Sequence, residues 1–291
     1  MRKHIAQKGK APKAYKDLYQ NLLANKNISG FNNKDRLEWS QDLDTEPEGL
    51  SPKPGAEIGY FVGCVSSFYP QAAQIPLAMT EVLMRSGIDF TTLGGEEWCC
   101  GFPFIGTGMP DKMKTLMQHN VEKIEAVGAK SVVFTCPSCY HTWKHLYQVP
   151  GVELKHSTQM LYDLVKDKRI KLKEMNVTVT YHDPCDLGRN SGIFEEPRQV
   201  LKAIPGLKLV EMAYNRQLSM CCGGGGNVEM VNPELSAKVA EMKLRAIADT
   251  KADMVVSSCQ QCLRTIATKA RRDKVNLVVK DLAELVSEAM I

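Results

Sequence analysis

The sequence predicts an α/β protein of two tandem, pseudo-symmetric modules, each a small parallel α/β layer, behind a helical N-terminal extension. Three observations carry this. The ten cysteines fall into two sets, Cys64, Cys99, Cys100, Cys136, Cys139 and Cys185, Cys221, Cys222, Cys259, Cys262, whose equivalents lie 121, 122, 122, 123 and 123 residues apart. None is left over, which marks an internal duplication of about 120 residues. Within each copy, β-prone apolar runs alternate with helix-like stretches, the pattern of parallel α/β layers. The third observation is that the N-terminal residues stand outside the repeat and carry their own charge pattern. The expected boundaries are 1–55 for the extension, 56–172 for the first module and 173–291 for the second.

In chain order, the extension comes first. Residues 1–16 hold six Lys/Arg and no Asp/Glu, and residues 35–48 hold six Asp/Glu and one Arg. Charge blocks of this kind are solvated or serve as interaction segments. "AYKDLYQNLLANK" has apolar residues at helical spacing (Tyr15, Leu18, Leu22, Leu23), so the extension is expected to dock a partner. "EIGYFVGC" and "NVTVTYHDPC" then read as strands ending at the first cysteine of each set. "QAAQIPLAMTEVLMRSG" and "EEPRQVLKAIPG" read as helices, and "IDFTTLGGEEWCCG" and "LKLVEMAYNRQLSMCCGGGG" as short strands running into the double cysteine. "DKMKTLMQHNVEKIEAVG" and "NPELSAKVAEMKLRAIADT" are long amphipathic helices, the first with Met113, Leu116, Met117 and Val121 at helical spacing. "AKSVVFTCPSC" and "ADMVVSSCQQC" are buried-type strands that end at a CxxC. Each cysteine group therefore follows the carboxyl end of a strand, the edge where open α/β sheets bind ligands.

Thiols in such numbers point to metal or redox chemistry rather than to disulfides. A thioredoxin-like CxxC does not account for the double cysteine or the lone upstream one. A zinc ribbon needs two CxxC pairs about 15–20 residues apart, whereas Cys139 and Cys259 are 120 apart. Structural zinc and a regular iron–sulfur cubane each take four ligands, and each set offers five. Either one cysteine per set is free or the centre is larger or less regular than a cubane. Adjacent cysteines reach two neighbouring irons more easily than one tetrahedral metal, which favours iron–sulfur over zinc.

These spacings, with the flanks "CCGFPFIGTG", "YHDPCDLGR" and "CCGGGG", resemble the cysteine-rich CCG domain. Two complete copies over residues 57–291 resemble the catalytic B subunit of heterodisulfide reductase, or the C-terminal half of the longer D subunit. The resemblance implies that each five-cysteine set holds a noncubane iron–sulfur cluster (4Fe-4S type), and that a disulfide is cleaved or formed between the two clusters. It implies a ferredoxin-type iron–sulfur C subunit and a flavin-containing A subunit as partners, with a small disulfide or thiol as substrate. About 55 residues precede the first strand, and "ISGFNNKDRLEWSQDLD" is similar to the linker that follows a ferredoxin domain in longer relatives. No cysteine precedes Cys64, so that domain is not expected here. The second reading is an electron-relay subunit of a 2-hydroxyacid or quinone-linked dehydrogenase; a third is a non-catalytic metal scaffold.

Other residues complete the expected site. His182, three before Cys185, is the candidate catalytic proton donor to a leaving thiolate or else a hydrogen-bonding partner that orients the loop. Gly101, Gly223 and Gly224 are assigned to close backbone approach to cofactor and substrate, with Gly106 and Gly108 in the matching role; GGGG lacks the Lys-Ser/Thr of a phosphate loop. Arg189 and Lys144 are candidates for an anionic substrate, and Trp98 for shielding a cluster from water. His141 and His145 read as ordinary helix positions. A net charge of +4 gives no reason to expect nucleic acid, no apolar run reaches the length of a membrane span, and a cytoplasmic location is expected.

Overall fold

A computed structural model describes all 291 residues. The N-terminal segment forms α1 (Arg2–Gln7), α2 (Ala14–Ala24) and a 3-10 stretch over Asn33–Asp42. The first repeat then runs β1 (Ile58–Phe61), α3 (Cys64–Phe68), α4 (Gln74–Arg85), β2 (Phe90–Thr92), α5 (Phe102–Thr107), α6 (Lys114–Val127), β3 (Ser131–Phe134), α7 (Pro137–Leu146), β4 (Glu153–His156) and α8 (Ser157–Lys166). The second runs β5 (Thr178–His182), α9 (Glu195–Ala203), β6 (Lys208–Leu209), α10 (Val228–Val231), α11 (Pro233–Ala248), β7 (Met254–Ser257), α12 (Gln260–Arg272), β8 (Val278–Asp281) and α13 (Leu282–Ala289).

Each repeat builds a four-stranded sheet, ordered β2-β1-β3-β4 and β6-β5-β7-β8, and every pairing is parallel. The central strands are apolar and buried on both faces, as parallel sheets covered by helices require. Each repeat also extends past its CxxC by a helix, an edge strand and a closing helix. β4 and β8 are half-exposed edge strands, and the helices after them start at matching capping boxes, His156 with Gln159 and Asp281 with Glu284.

The two repeats share their largest core, beside a smaller cluster in each. One cluster of 29 buried residues takes Val82 and Leu83 from the first repeat and Leu285 and Val286 from the second. α13 packs on α4, and α8 packs on α9. Each closing helix thus lies against the first long helix of the other repeat. Arg85 Nη1 donates to the Ser287 carbonyl at 3.0 Å, and Lys173 N–H donates to the Ala289 carbonyl at 2.7 Å.

The apolar stripe expected to serve a partner is used within the chain. Leu18 and Leu22 of α2 are buried in a cluster with Cys64, Cys99, Phe104, Met113 and Leu116, while Tyr15 is half-buried and Leu23 exposed. The stripe fits the apolar surface beside the double cysteine, which would otherwise face water. The segment is also tied down by polar bonds. Cys99 N–H donates to the Lys26 carbonyl at 2.7 Å, and Asn33 Nδ2 donates to the carbonyls of Gly95 and Glu97.

Candidate metal centre

All strands of a sheet are parallel, so their carboxyl ends share an edge, and the loops leaving that edge carry the thiols. Cys64 opens α3 after β1, and Cys136 and Cys259 are the N-caps of α7 and α12 after β3 and β7. The two edges face each other across one cavity of about 470 Å³, and all ten cysteines line it. Cross-repeat bonds hold the edges in register. Gln260, next to Cys259, donates from Nε2 to the Val62 carbonyl and to Thr135 Oγ1, both at 3.0 Å. Ser138, between Cys136 and Cys139, donates to Asp186 Oδ2 at 2.5 Å. The CxxC loop of each repeat is thereby fastened to the lone-cysteine loop of the other.

Within the first group the thiols form a contact chain: Cys64 with Cys99, Cys99 with Cys100, Cys100 with Cys139, Cys139 with Cys136. The second repeats most of it: Cys221 with Cys222, Cys222 with Cys262, Cys262 with Cys259. Cys185 stands apart, pushed up to about 12 by burial. The proton pattern matches between groups except at Cys136, which is drawn down, and Cys259, which is raised. Thiols donating to Cys100, with Cys139 first, draw its pKa down, and those donating to Cys222, with Cys221 first and then Cys262, do the same. Cys139 and Cys262 are correspondingly held well above the ordinary thiol value, each first by its donation to that partner. The backbone repeats the symmetry, because Gly101 N–H donates to Cys99 Sγ at 3.5 Å and Gly223 N–H to Cys221 Sγ at 3.3 Å.

This donor set fits a soft, multinuclear metal group. Five thiols per repeat converge with sulfur as the common donor, the ligand type that selects zinc and iron–sulfur centres. His182 is buried beside Cys222 and Cys262, with its ring nitrogen and their sulfurs within 4.8 Å of one another. Neither of its ring nitrogens has a nitrogen or oxygen partner, and its one hydrogen-bonding neighbour is the Cys222 thiol. A buried imidazole so sparsely partnered is costly, and a group bound at the thiols would supply an acceptor. Burial lowers the His182 pKa, which keeps the ring neutral.

The remaining expected residues divide. Arg189 and Gly224 line the cavity, but Gly101, Gly223, Gly106, Gly108, Lys144, His141, His145 and Trp98 do not. Gly101 and Gly223 adopt φ of +89° and +96°. A Cβ there would meet Met113 Cβ at 2.8 Å and the Ser236 carbonyl oxygen at 2.4 Å. Their small size therefore serves packing against Met113 at the start of α6 and against α11, not approach to the cavity. Gly224 faces the Thr265 hydroxyl, and Gly106 faces the Asn227 side chain across the repeats. Lys144 is exposed and reaches the Tyr140 hydroxyl at 3.2 Å. Trp98 stacks on His119 at 3.5 Å and packs on the outer side of the Cys64–Cys99 cluster.

Sequence reasoning missed two buried ion pairs. Glu97 accepts from Arg36 at 2.7 Å and from the N–H groups of Val62 and Gly63, so it fixes the loop that carries Cys64. Burial pushes the Glu97 carboxyl up, against the opposing pull of Arg36 and those N–H groups. In the second repeat Asp183 accepts both Nη atoms of Arg198, at 2.7 and 2.9 Å, and fixes the loop before Cys185. The one Arg among six acids in residues 35–48 was the only available signal for the first pair.

Two parallel sheets that present ten thiols to one cavity define a tandem-repeat thiolate metalloprotein. The CCG cysteine-rich domain matches residues 58–144 and again 179–267. The D subunit of dihydromethanophenazine:CoB–CoM heterodisulfide reductase from Methanosarcina acetivorans is 38% identical over 301 residues, covering 100% of this chain and 71% of the relative. The B subunit of the CoM/CoB fumarate reductase from Methanothermobacter marburgensis is 34% identical, over 83% of this chain and 48% of the relative. EtfAB:quinone oxidoreductase from Syntrophomonas wolfei is 31% identical, over 100% of this chain and 43% of the relative. A hypothetical protein from Helicobacter pylori of known structure shares the fold, with a TM-score of 0.58 at 14% identity, over 94% of this chain and 56% of that one. The chain belongs to the heterodisulfide reductase family of cysteine-rich-domain proteins and is an iron–sulfur oxidoreductase. No helix is long and apolar enough to cross a membrane.

Proposed function

We propose that the chain is the catalytic iron–sulfur subunit of a heterodisulfide reductase-type complex, cleaving or forming a small disulfide between two noncubane clusters. The observation that carries this reading is the single cavity of about 470 Å³ bounded by both five-cysteine groups. Its volume lies in the range of small-molecule sites, about 300–1,000 Å³. Cleaving RS–SR′ consumes two electrons and two protons and releases two thiols, and the clusters, when bound, supply the electrons one each. The ligands proposed are Cys64, Cys99, Cys100, Cys136 and Cys139 for one and Cys185, Cys221, Cys222, Cys259 and Cys262 for the other.

The chain's own residues orient and enclose. The Gln260 and Ser138 bonds hold the two thiol groups at a fixed separation. Arg189 and Arg264 give the cavity wall guanidinium groups suited to an anionic substituent on the substrate. The buried, neutral His182 supports a hydrogen-bonding role at the second group over proton delivery to a leaving thiolate. α2 closes one side of the cavity with Ala14, Asp17, Leu18 and Asn21 and excludes water from the first group. All ten cysteines line this one cavity, so we assign electron delivery to a separate ferredoxin-type cluster and a flavin subunit.

Anaerobic purification with iron and sulfide analysis, followed by electron paramagnetic resonance with and without a small thiol, tests this. Iron for two four-iron clusters and a spectrum altered by the thiol are expected. A spectrum indifferent to every thiol and disulfide tried, from a protein that passes electrons to a quinone-linked partner, would establish the relay reading instead.

A further inference from the structure

The two buried arginines look equivalent, because each neutralises a carboxylate that fixes a lone-cysteine loop. Their donors are used differently. Arg198 comes from the second repeat's own α9, and its five N–H bonds all go to oxygen, on Asp183, Glu211 and the Phe194 carbonyl. Arg36 comes from the N-terminal segment. Nη1 donates to Glu97 at 2.7 Å and Ser67 at 3.3 Å, and Nη2 donates to Asn33 at 3.3 Å and Cys64 Sγ at 3.5 Å. Its Nε is buried without a partner, and its side chain is 1% exposed. No guanidinium bonds a sulfur of the second group, where the sulfurs accept from the backbone of Gly223 and Cys262. Lys243, also buried there, reaches the Met212 thioether at 3.7 Å and acts on Cys262, Cys222 and Cys221 through its charge, with no hydrogen bond to their sulfurs, so the N–H···S bond is what distinguishes the first group.

We propose that Arg36 is a positioning residue that raises the reduction potential of the cluster held by the first five cysteines and makes the two clusters electronically unequal. The inference rests on the reading that this group holds an iron–sulfur cluster. Reduction adds negative charge to the cluster. Glu97 offsets most of the guanidinium's charge, but the Nη2–H···S bond falls on a cluster ligand itself and favours the more negative state, and potentials of such clusters follow net charge, hydrogen bonds to sulfur and exposure. At this depth, solvent screens the interaction little. The first repeat has no arginine of its own in this place, so the N-terminal segment is a structural component of its metal site.

The test is a potentiometric titration of the purified protein, followed by electron paramagnetic resonance, without substrate or partner. Arg36→Lys keeps a cation for Glu97 and shortens the reach to Cys64. Arg36→Met/Glu97→Gln removes the pair. Arg198→Lys is the control in the second repeat. Iron is measured first, and wild-type protein without iron would sink the cluster reading rather than this one. In the double variant, which removes both charges of the pair and leaves only the lost N–H···S bond uncompensated, one midpoint is expected to fall by up to about tenfold in the one-electron equilibrium constant, about 59 mV, with the other unchanged. Arg36→Lys is expected to move the same midpoint less, and Arg198→Lys to move neither. Should the double variant lose iron, Arg36→Lys alone decides. Unchanged midpoints in the iron-loaded Arg36 variants, or equal shifts of both clusters, would overturn the proposal.

Discussion

Cys99 and Cys221 hold corresponding places, yet Cys99 is buried beneath α2 and Cys221 is exposed. Each makes its sulfur contacts inside its own repeat. Cys99→Ala is therefore expected to remove iron chiefly from the first group, and Cys221→Ala chiefly from the second, each abolishing turnover. Iron and sulfide analysis with spectroscopy reads this, and loss of all iron from both variants would mean a single shared metal site. The cysteines were legible in the sequence because every member of one set recurs at a nearly constant offset in the other. The ion pairs that position them were not. Arg36 and Glu97 are 61 residues apart, and Arg198 and Asp183 are 15 apart. Pairing across such distances leaves no local periodicity, and only the fold brings the partners together.

At the scale of elements, the central strands and amphipathic helices were legible because burial on both faces or on one stripe imposes a strong pattern. β4, β8 and the helices that follow them were not read. "ELKH" and "VVKD" are short edge strands with an exposed first residue, two half-buried ones and a buried last one, so they carry little apolar signal. The cap that starts α8 has a consequence for acid stability. His156 Nδ1 accepts from Thr158 N–H at 3.3 Å, and burial pushes its pKa down to about 3. The unfolded chain takes up a proton below about 6.5, but the folded one does not until far lower. Stability is then complete above that value and lost as pH falls toward 3, by about 1.4 kcal/mol per pH unit. His156→Asn keeps a capping oxygen and removes the titration. Denaturant unfolding at pH 7.5 and 5.5 is expected to show a smaller acid loss in the variant than in the parent. Equal losses would mean that His156 is not a source of the acid sensitivity.

At the scale of the whole molecule, the two halves depend on each other. Each closing helix completes the other repeat, so residues 56–172 expressed alone would expose the apolar face of α4 that α13 covers. That fragment is expected to aggregate or stay unfolded, and to fold on co-expression with residues 173–291. Circular dichroism and gel filtration read the outcome, and a compact, folded fragment alone would contradict the shared core. The contact of α4 with α13 and that of α9 with α8 are one contact occurring twice. That is the signature of a self-complementary, two-fold interface between identical subunits, here enclosed within a single chain. A true homodimer must present the same surface on both sides of its axis. A fused one is free of that constraint, and this chain departs from it. Where β1 ends in Phe61, β5 ends in His182, and the two side chains occupy matching ladder positions opposite Phe134 and Ser257. Of the two, His182 lines the cavity while Phe61 packs in the core with Phe134 and Trp143, so the two ends of the cavity present different walls, and polarity along the cavity, rather than mere room, is what the duplication and fusion made available.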